Sequence, residues 1–242
     1  PLLRMAADKL AMRAHVAARI GEHYLVPSLG DWGSADEVPL LELPRPYVVK
    51  PSAASGLLSI VRSGQALDVA GMRRQMARWL RIDYHRLHRE WAYQGLTSRL
   101  IAEAMLEGDD GQPAPDVKAY VIGGDVRFIQ IDRGRFAQHT RNLYSTDWQL
   151  LPVRLTLANH APDPRPACLD ELLQVARTLA EPFEFIRVDT YVHRGRLYVG
   201  ELTNYPGAGF ERFMPASFDA ELNRYWPVKS SAGVQPGGVG TT

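Results

Sequence analysis

The chain has 242 residues, of which 45% are hydrophobic, and a net charge near +1 with both signs interspersed. That is enough apolar material for one large or two small globular domains, and it carries no electrostatic footprint for nucleic acid. A single cysteine, Cys168, excludes an internal disulfide. No apolar run approaches the roughly 20 residues that cross a bilayer, and the start lacks a signal-peptide pattern, so a reducing, cytoplasmic setting is expected.

In chain order, Asp8 to Ile20 keeps helical apolar spacing and stops at Gly21. Pro46 to Lys50 and Leu57 to Arg62 are β-rich runs joined by PSAASG, a hairpin with a small-residue loop. Gly71 to Arg81 returns to helical spacing, and Arg99 to Leu106 is strand-like, followed by an acidic Gly/Pro loop to Pro115. Val117 to Ile122 and Val126 to Asp132 flank Gly123-Gly124 as a second hairpin. A Pro-rich connection, Ala161 to Pro166, leads to an amphipathic helix, Leu169 to Ala180, that ends before Pro182. Phe185 to Thr203 forms a third hairpin, and the Gly-rich end reads as a disordered tail. Hairpins interspersed with helices predict an α+β protein in two lobes.

The third hairpin holds one carboxylate in each strand, Asp189 and Glu201, in apolar company. Side chains alternate faces along a strand, so the turn decides whether the two acids meet. A two-residue turn at Arg194-Gly195 pairs His193 with Arg196 and sends the acids to opposite faces. A three-residue turn, His193 to Gly195, pairs Arg187 with Glu201 and leaves Asp189 on the same face. Only that register makes a site, and two adjoining carboxylates repel unless a cation lies between them. Hard oxygen ligands favour Mg²⁺, held by one or two carboxylates plus substrate phosphates. The simpler alternative pairs Asp189 with Arg187 and Glu201 with a surface arginine.

Of 28 basic residues, only Lys9, Lys50, Lys118 and Lys229 are lysine. A lysine kept against such a bias suits a place that needs a compact point charge rather than a planar fork. Lys50 precedes the loop Ser52 to Gly56, whose backbone N–H groups could approach phosphate oxygens, although an ordinary hairpin turn explains the loop equally. Lys118 lies in an apolar strand, where an ammonium needs either an anion or a route to solvent. Lys9, in the first turn of a helix, is expected to be solvated on local grounds. The histidines have no ligand spacing with Cys or acids, so zinc is not expected, and Cys168 has no nucleophile context.

Taken in order, DKLAMRAHV, YVVKPSAASG, EWAY, AEAMLEG, DVKAYVIGG, IDR, RVDTY and GELTNYPGAG resemble the TupA-like branch of the ATP-grasp superfamily, from Asp8 to about Trp226. The resemblance implies an α+β ATP-grasp fold, two lobes with antiparallel sheets and flanking helices, with ATP between the lobes and Mg²⁺ bridging its phosphates. It divides the chain into an N-terminal lobe over 1–98, a C-terminal lobe over 99–229 and a tail over 230–242. It implies that Lys9, Lys50 and Lys118 contact phosphate oxygens, and that Ser52, Ser55 and Gly56 close over them. Glu103, Met105 and Leu106 would border adenine, and Glu107 would reach the ribose. Asp189 and Glu201, with Thr203 and Asn204, would hold the metal, and Arg187 would stabilise a developing oxyanion.

The activity so implied is a carboxylate-amine ligase working through an acyl phosphate on a small-molecule or glycan-precursor substrate of cell-surface polysaccharides. Family members usually carry His-Gly where this chain has Ala53-Ala54, and the superfamily's metal-binding Asn is Thr203 here, followed by Asn204. A phosphotransferase that stops at the phosphorylated product, or a non-catalytic nucleotide-binding module, stands as the alternative.

Overall fold

The structure, a computed structural model, describes residues 1–108, 111–134 and 138–226. Its elements are α1 (Leu2–Ala7), α2 (Lys9–Ile20), β1 (Ser28–Trp32), β2 (Tyr47–Pro51), β3 (Ser59–Val61), α3 (Val69–Leu80), α4 (Tyr84–His88), β4 (Leu100–Ala104), β5 (Asp116–Ile122), β6 (Asp125–Arg133), β7 (Thr140–Tyr144), β8 (Arg154–Leu155), α5 (Leu169–Ala180), β9 (Phe185–His193), β10 (Arg196–Thr203), β11 (Phe213–Met214) and α6 (Ser217–Leu222). The expected tail over 230–242 lies outside the described residues.

Local chemistry sets several of these boundaries. The Asp8 carboxylate accepts from the Leu10 N–H and opens α2, and Asp68 does the same for α3 through the Gly71 N–H. Helix α5 buries Leu169, Leu172, Leu173, Val175, Ala176, Leu179 and Ala180 along one side, the 3.6-residue stripe of a helix lying on a core.

The strands form two larger antiparallel sheets, ordered β1-β4-β2-β3 and β10-β9-β5-β6-β7, plus the small pair β11-β8. The first sheet packs against α3 through Tyr47, Val49, Val61, Met76, Trp79 and Leu100. The second presents one face to a core shared by α5, α1 and α2, including Val117, Ala119, Ile129, Ile186, Val188 and Leu172. Two sets of contacts connect residues on either side of position 98. Strand β4 lies between β1 and β2 in the first sheet, while α1 and α2 put Ala6, Met12 and Val16 into the core of the second. Both join residues distant in sequence, which local patterns do not encode.

Candidate functional site

The hairpin β9-β10 turns at Arg194-Gly195, both with positive φ (50° and 74°), the geometry of a two-residue turn. His193 accordingly faces Arg196. This is the register expected to separate the acids, yet Glu201 lies directly opposite Asp189. The difference is a bulge at Gly200: one extra residue in β10 shifts the pairing by one and returns Glu201 to the face of Asp189. Glycine is required there, because a Cβ at position 200 would stand 2.5 Å from Tyr191 Cε2.

Period-two alternation then lays out one face of the second sheet in rows. Across β6, β5 and β9 the first row is Asp132, Asp116 and Tyr191. The second is Gln130, Lys118 and Asp189, extended by Glu201 on β10, and the third is Phe128, Tyr120 and Arg187, extended by Thr203. Ile122 and Phe185 form a fourth. Successive rows are about 6.6 Å apart, twice the rise per strand residue. The first row borders a cleft of about 990 Å³ that runs between the two sheets and is also lined by Lys50, Glu103, Met105, Leu106 and Glu107. Asp189, Glu201 and Arg187 line a smaller pocket of about 250 Å³, closed from the other side by Ser55, Tyr84 and Tyr93.

The structure brings most of the expected residues to these two spaces and gives several of them other partners. Arg187 is buried and grips Asp189 with two N–H groups, Nε to Oδ1 at 2.6 Å and Nη2 to Oδ2 at 2.7 Å. Its Nη2 also donates to Thr203 Oγ1 at 3.3 Å. The simpler alternative for Asp189 thus holds, whereas that for Glu201 does not: Glu201 makes no hydrogen bond or ion pair with a described residue. Lys118 Nζ is 2.5 Å from Asp132 Oδ2. Lys50 Nζ is 2.5 Å from Glu103 Oε2, and Arg13 holds the other oxygen at 2.6 Å. Glu103 therefore anchors two cations at the cleft wall.

Lys9 is buried instead of solvated, and its ammonium donates to the Ala54 carbonyl at 2.6 Å. Burial pulls its pKa down, opposed by Glu201. Ser52 is fully buried: its carbonyl accepts from the Lys9 N–H and its hydroxyl from the Arg99 N–H. Ser52 and Lys9 thus fasten the base of the loop, leaving Ser55 and Gly56 exposed at its tip. Ala54 packs with Ala7, Tyr84, Ala92 and Tyr93, so it docks the loop on an apolar cluster, and Ala53 beside it is also buried. Asn204 donates from Nδ2 to the Leu3 carbonyl at 2.8 Å, while its buried Oδ1 has no partner among the described residues.

Other residues joined the site without being singled out in the sequence. Asp132 accepts from Lys118, Gln130 and Arg141. Burial alone would raise its pKa, but Lys118 and Arg141 hold the carboxyl well below the usual range. Tyr191 stands where cleft and pocket meet. Burial, then the carboxylates of Asp116, Glu103, Asp189 and Glu201, push its phenol well above its ordinary value, so it stays protonated. The signal for Tyr191 was its place two residues beyond Asp189. Cys168 is half-buried and burial raises its thiol pKa, which fits its lack of a catalytic context.

Among the described residues no group of three or more His, Cys, Asp and Glu side chains converges on a point. The donor set nevertheless suits Mg²⁺, which takes one or two carboxylates and leaves its other positions to phosphates and water. Glu201 has both oxygens available, and each oxygen of Asp189 keeps a lone pair beyond its bond to Arg187.

Solved structures of a ligase and a synthetase share this architecture. D-alanine–D-alanine ligase from Bacillus anthracis complexed with ATP superposes with a TM-score of 0.56 at 17% identity, over 92% of this chain and 65% of that one. The ADP complex of purK, N5-carboxyaminoimidazole ribonucleotide synthetase, gives 0.53 at 14% identity, over 84% and 45%. The chain spans between 45% and 65% of the length of these two structures. Such identities define the fold, an α+β ATP-grasp. A comparison with curated proteins returned no match. The profile of one family, TupA-like ATPgrasp, matches residues 2–226, and the chain belongs to that family.

Proposed function

We propose that the protein is an ATP- and Mg²⁺-dependent ligase that joins a carboxylate to an amine through an acyl phosphate. The observation that carries this reading is Glu201 facing Asp189 across the bulge in the charged pocket that adjoins the inter-sheet cleft, its oxygens unpartnered among the described residues. The cleft would take the nucleotide, with Met105 and Leu106 beside the base, Glu107 near the ribose, and Lys50 and Lys118 toward the phosphates. The open tip of the loop at Ser55 and Gly56 lets backbone N–H groups approach them. Bound between Asp189 and Glu201, Mg²⁺ would screen phosphate charge.

In the first step a carboxylate oxygen of the substrate attacks the γ-phosphorus, a P–O bond forms, and ADP leaves with the electron pair of the broken one. In the second the amine nitrogen attacks the acyl carbon. A C–N bond forms, the C–O bond to phosphorus breaks, and inorganic phosphate departs, taking up the proton that the nitrogen loses. Arg187, fixed by Asp189, supplies a positive charge beside the oxyanion that develops at that carbon. For the donor we favour uronic or amino-acid carboxylates of cell-surface glycan precursors, on the strength of the family alone.

The test is ADP release with Mg²⁺-ATP across a panel of uronates and amino acids, with hydroxylamine added to trap the acyl phosphate as a hydroxamate. The expected result is hydroxamate formation that Glu201→Gln abolishes. ADP release with a stable phosphorylated product and no need for an amine would make the protein a phosphotransferase. Failure of the wild type to bind Mg²⁺-ATP would make it a non-catalytic module.

A further inference from the structure

Helix α2 belongs to one core and reaches toward the other. Met12 and Val16, four residues apart, are buried with the second sheet. Lys9 and Arg13, also four apart and so on one side of the helix, reach partners in and beside the first sheet. Lys9 donates to the Ala54 carbonyl, while Arg13 Nη1 donates to the Val26 carbonyl at 2.9 Å and to Glu103 Oε1 at 2.6 Å.

Glu103 is where this helix meets the cleft. Lys50 on β2 pairs with Ile101 on β4, so Lys50 and Glu103 lie diagonally on one face of the first sheet, and the Lys50 ammonium takes the second carboxylate oxygen, Oε2. The side chains of Arg13, Glu103 and Lys50 are only 14%, 8% and 15% exposed. One carboxylate between two cations leaves a positive charge in surplus, and a charge so little hydrated is costly until an anion meets it. Lys50 and Glu103 line the inter-sheet cleft of about 990 Å³ and Arg13 does not, so an anion reaches this surplus through Lys50.

We propose that Arg13 is a positioning residue for a polyphosphate in the cleft. With Arg13 on Oε1, Glu103 stays satisfied when Lys50 turns to the anion. Without it, Glu103 would have Lys50 as its one cation, and a polyphosphate would have to compete with that carboxylate. That the polyphosphate is the triphosphate of ATP rests on the reading above; that Arg13 governs the availability of Lys50 to a polyanion does not.

The experiment measures binding of inorganic tripolyphosphate and of adenosine to the full chain by calorimetry, with Mg²⁺-ATP in parallel. Arg13→Met should weaken tripolyphosphate about tenfold and leave uncharged adenosine within about twofold of wild type. Arg13→Lys, which keeps a positive charge beside Glu103, should lose no more than about threefold. Glu103→Gln removes the competing charge and should by itself tighten tripolyphosphate, and adding Arg13→Met to it should then cost about threefold at most, the coupling expected of a residue that acts through the acid. Equal losses from Arg13→Met in the two backgrounds overturn the assignment, because Arg13 would then act by its own charge. A parallel loss of adenosine overturns it too, since Arg13 would then merely hold the cleft in shape, as does an Arg13→Lys variant as weak as Arg13→Met. A wild type that binds Mg²⁺-ATP with Arg13→Met unchanged sinks the assignment alone, whereas a wild type that binds no polyphosphate sinks the nucleotide reading with it.

Discussion

The two hairpins of the second sheet, β5-β6 and β9-β10, are built alike and use their acids differently. Each closes on a two-residue turn with positive φ at both positions, Gly123-Gly124 and Arg194-Gly195. Each then shifts register at one extra residue, Arg127 in β6 and Gly200 in β10. In the first hairpin the shift delivers Asp132 to the site face, where Lys118, Gln130 and Arg141 satisfy it completely. In the second it delivers Glu201 beside Asp189, where no described residue hydrogen-bonds or ion-pairs with its carboxylate. The acid saturated by neighbours serves the fold, and the unsaturated one is available to a ligand.

The contrast can be broken most forcefully at Asp132. Asp132→Asn leaves two buried cations short of their anion and should cost about 3–5 kcal/mol of unfolding free energy in a urea titration. Acid titration sharpens the same point. The folded carboxyl is held below the roughly 3.9 of an unfolded Asp, so its contribution is full above that value and is lost as pH falls through and below it. Below about pH 4 the wild type should therefore lose stability faster than Asp132→Asn.

Next in size is Gly200→Ala, whose Cβ must displace the Tyr191 ring or undo the bulge. It should cost about 1–3 kcal/mol and weaken Mg²⁺-ATP binding, read by melting and calorimetry. The matching change in the other hairpin, Arg127→Ala, removes a guanidinium that lies 3.9 Å from the Tyr225 ring centroid. It should cost about 0.5–1 kcal/mol and spare nucleotide binding. Smallest in stability is Glu201→Gln, within about 0.5 kcal/mol of wild type because no partner among the described residues is lost. Mg²⁺-dependent nucleotide affinity should nevertheless fall about tenfold or more. A Glu201→Gln protein that is clearly destabilised, with unchanged Mg²⁺ dependence, would erase the distinction between the two hairpins.

What could be read from sequence followed how local the cause was. Helix α5 was predicted with its observed limits, because its apolar period and the proline after it are local. The β5-β6 hairpin came from Gly123-Gly124 in the same way. For β9-β10 the two-residue turn was recognisable, and Gly200 inside a strand was the available sign of a bulge; without it the acids fell on opposite faces. Strand β7 was not anticipated, since Arg141 and Asn142 interrupt its apolar pattern to make buried polar contacts with distant residues. The family motifs led to Asp189, Glu201 and the lysines, but not to their partners: Asp132 for Lys118, Glu103 for Lys50 and the Ala54 carbonyl for Lys9. Those pairings depend on which strands become neighbours.

A cavity of about 700 Å³ beside the Tyr120 and Phe128 end of the second sheet is lined by Leu2 and Leu3 near one extreme of the described chain and by Trp226 at the other. Its walls are drawn from residues far apart in sequence, the kind of arrangement that forms slowly because a long loop must first be closed. The second sheet can pair before this chamber closes, so the chamber should be among the late features that a refolding chain acquires.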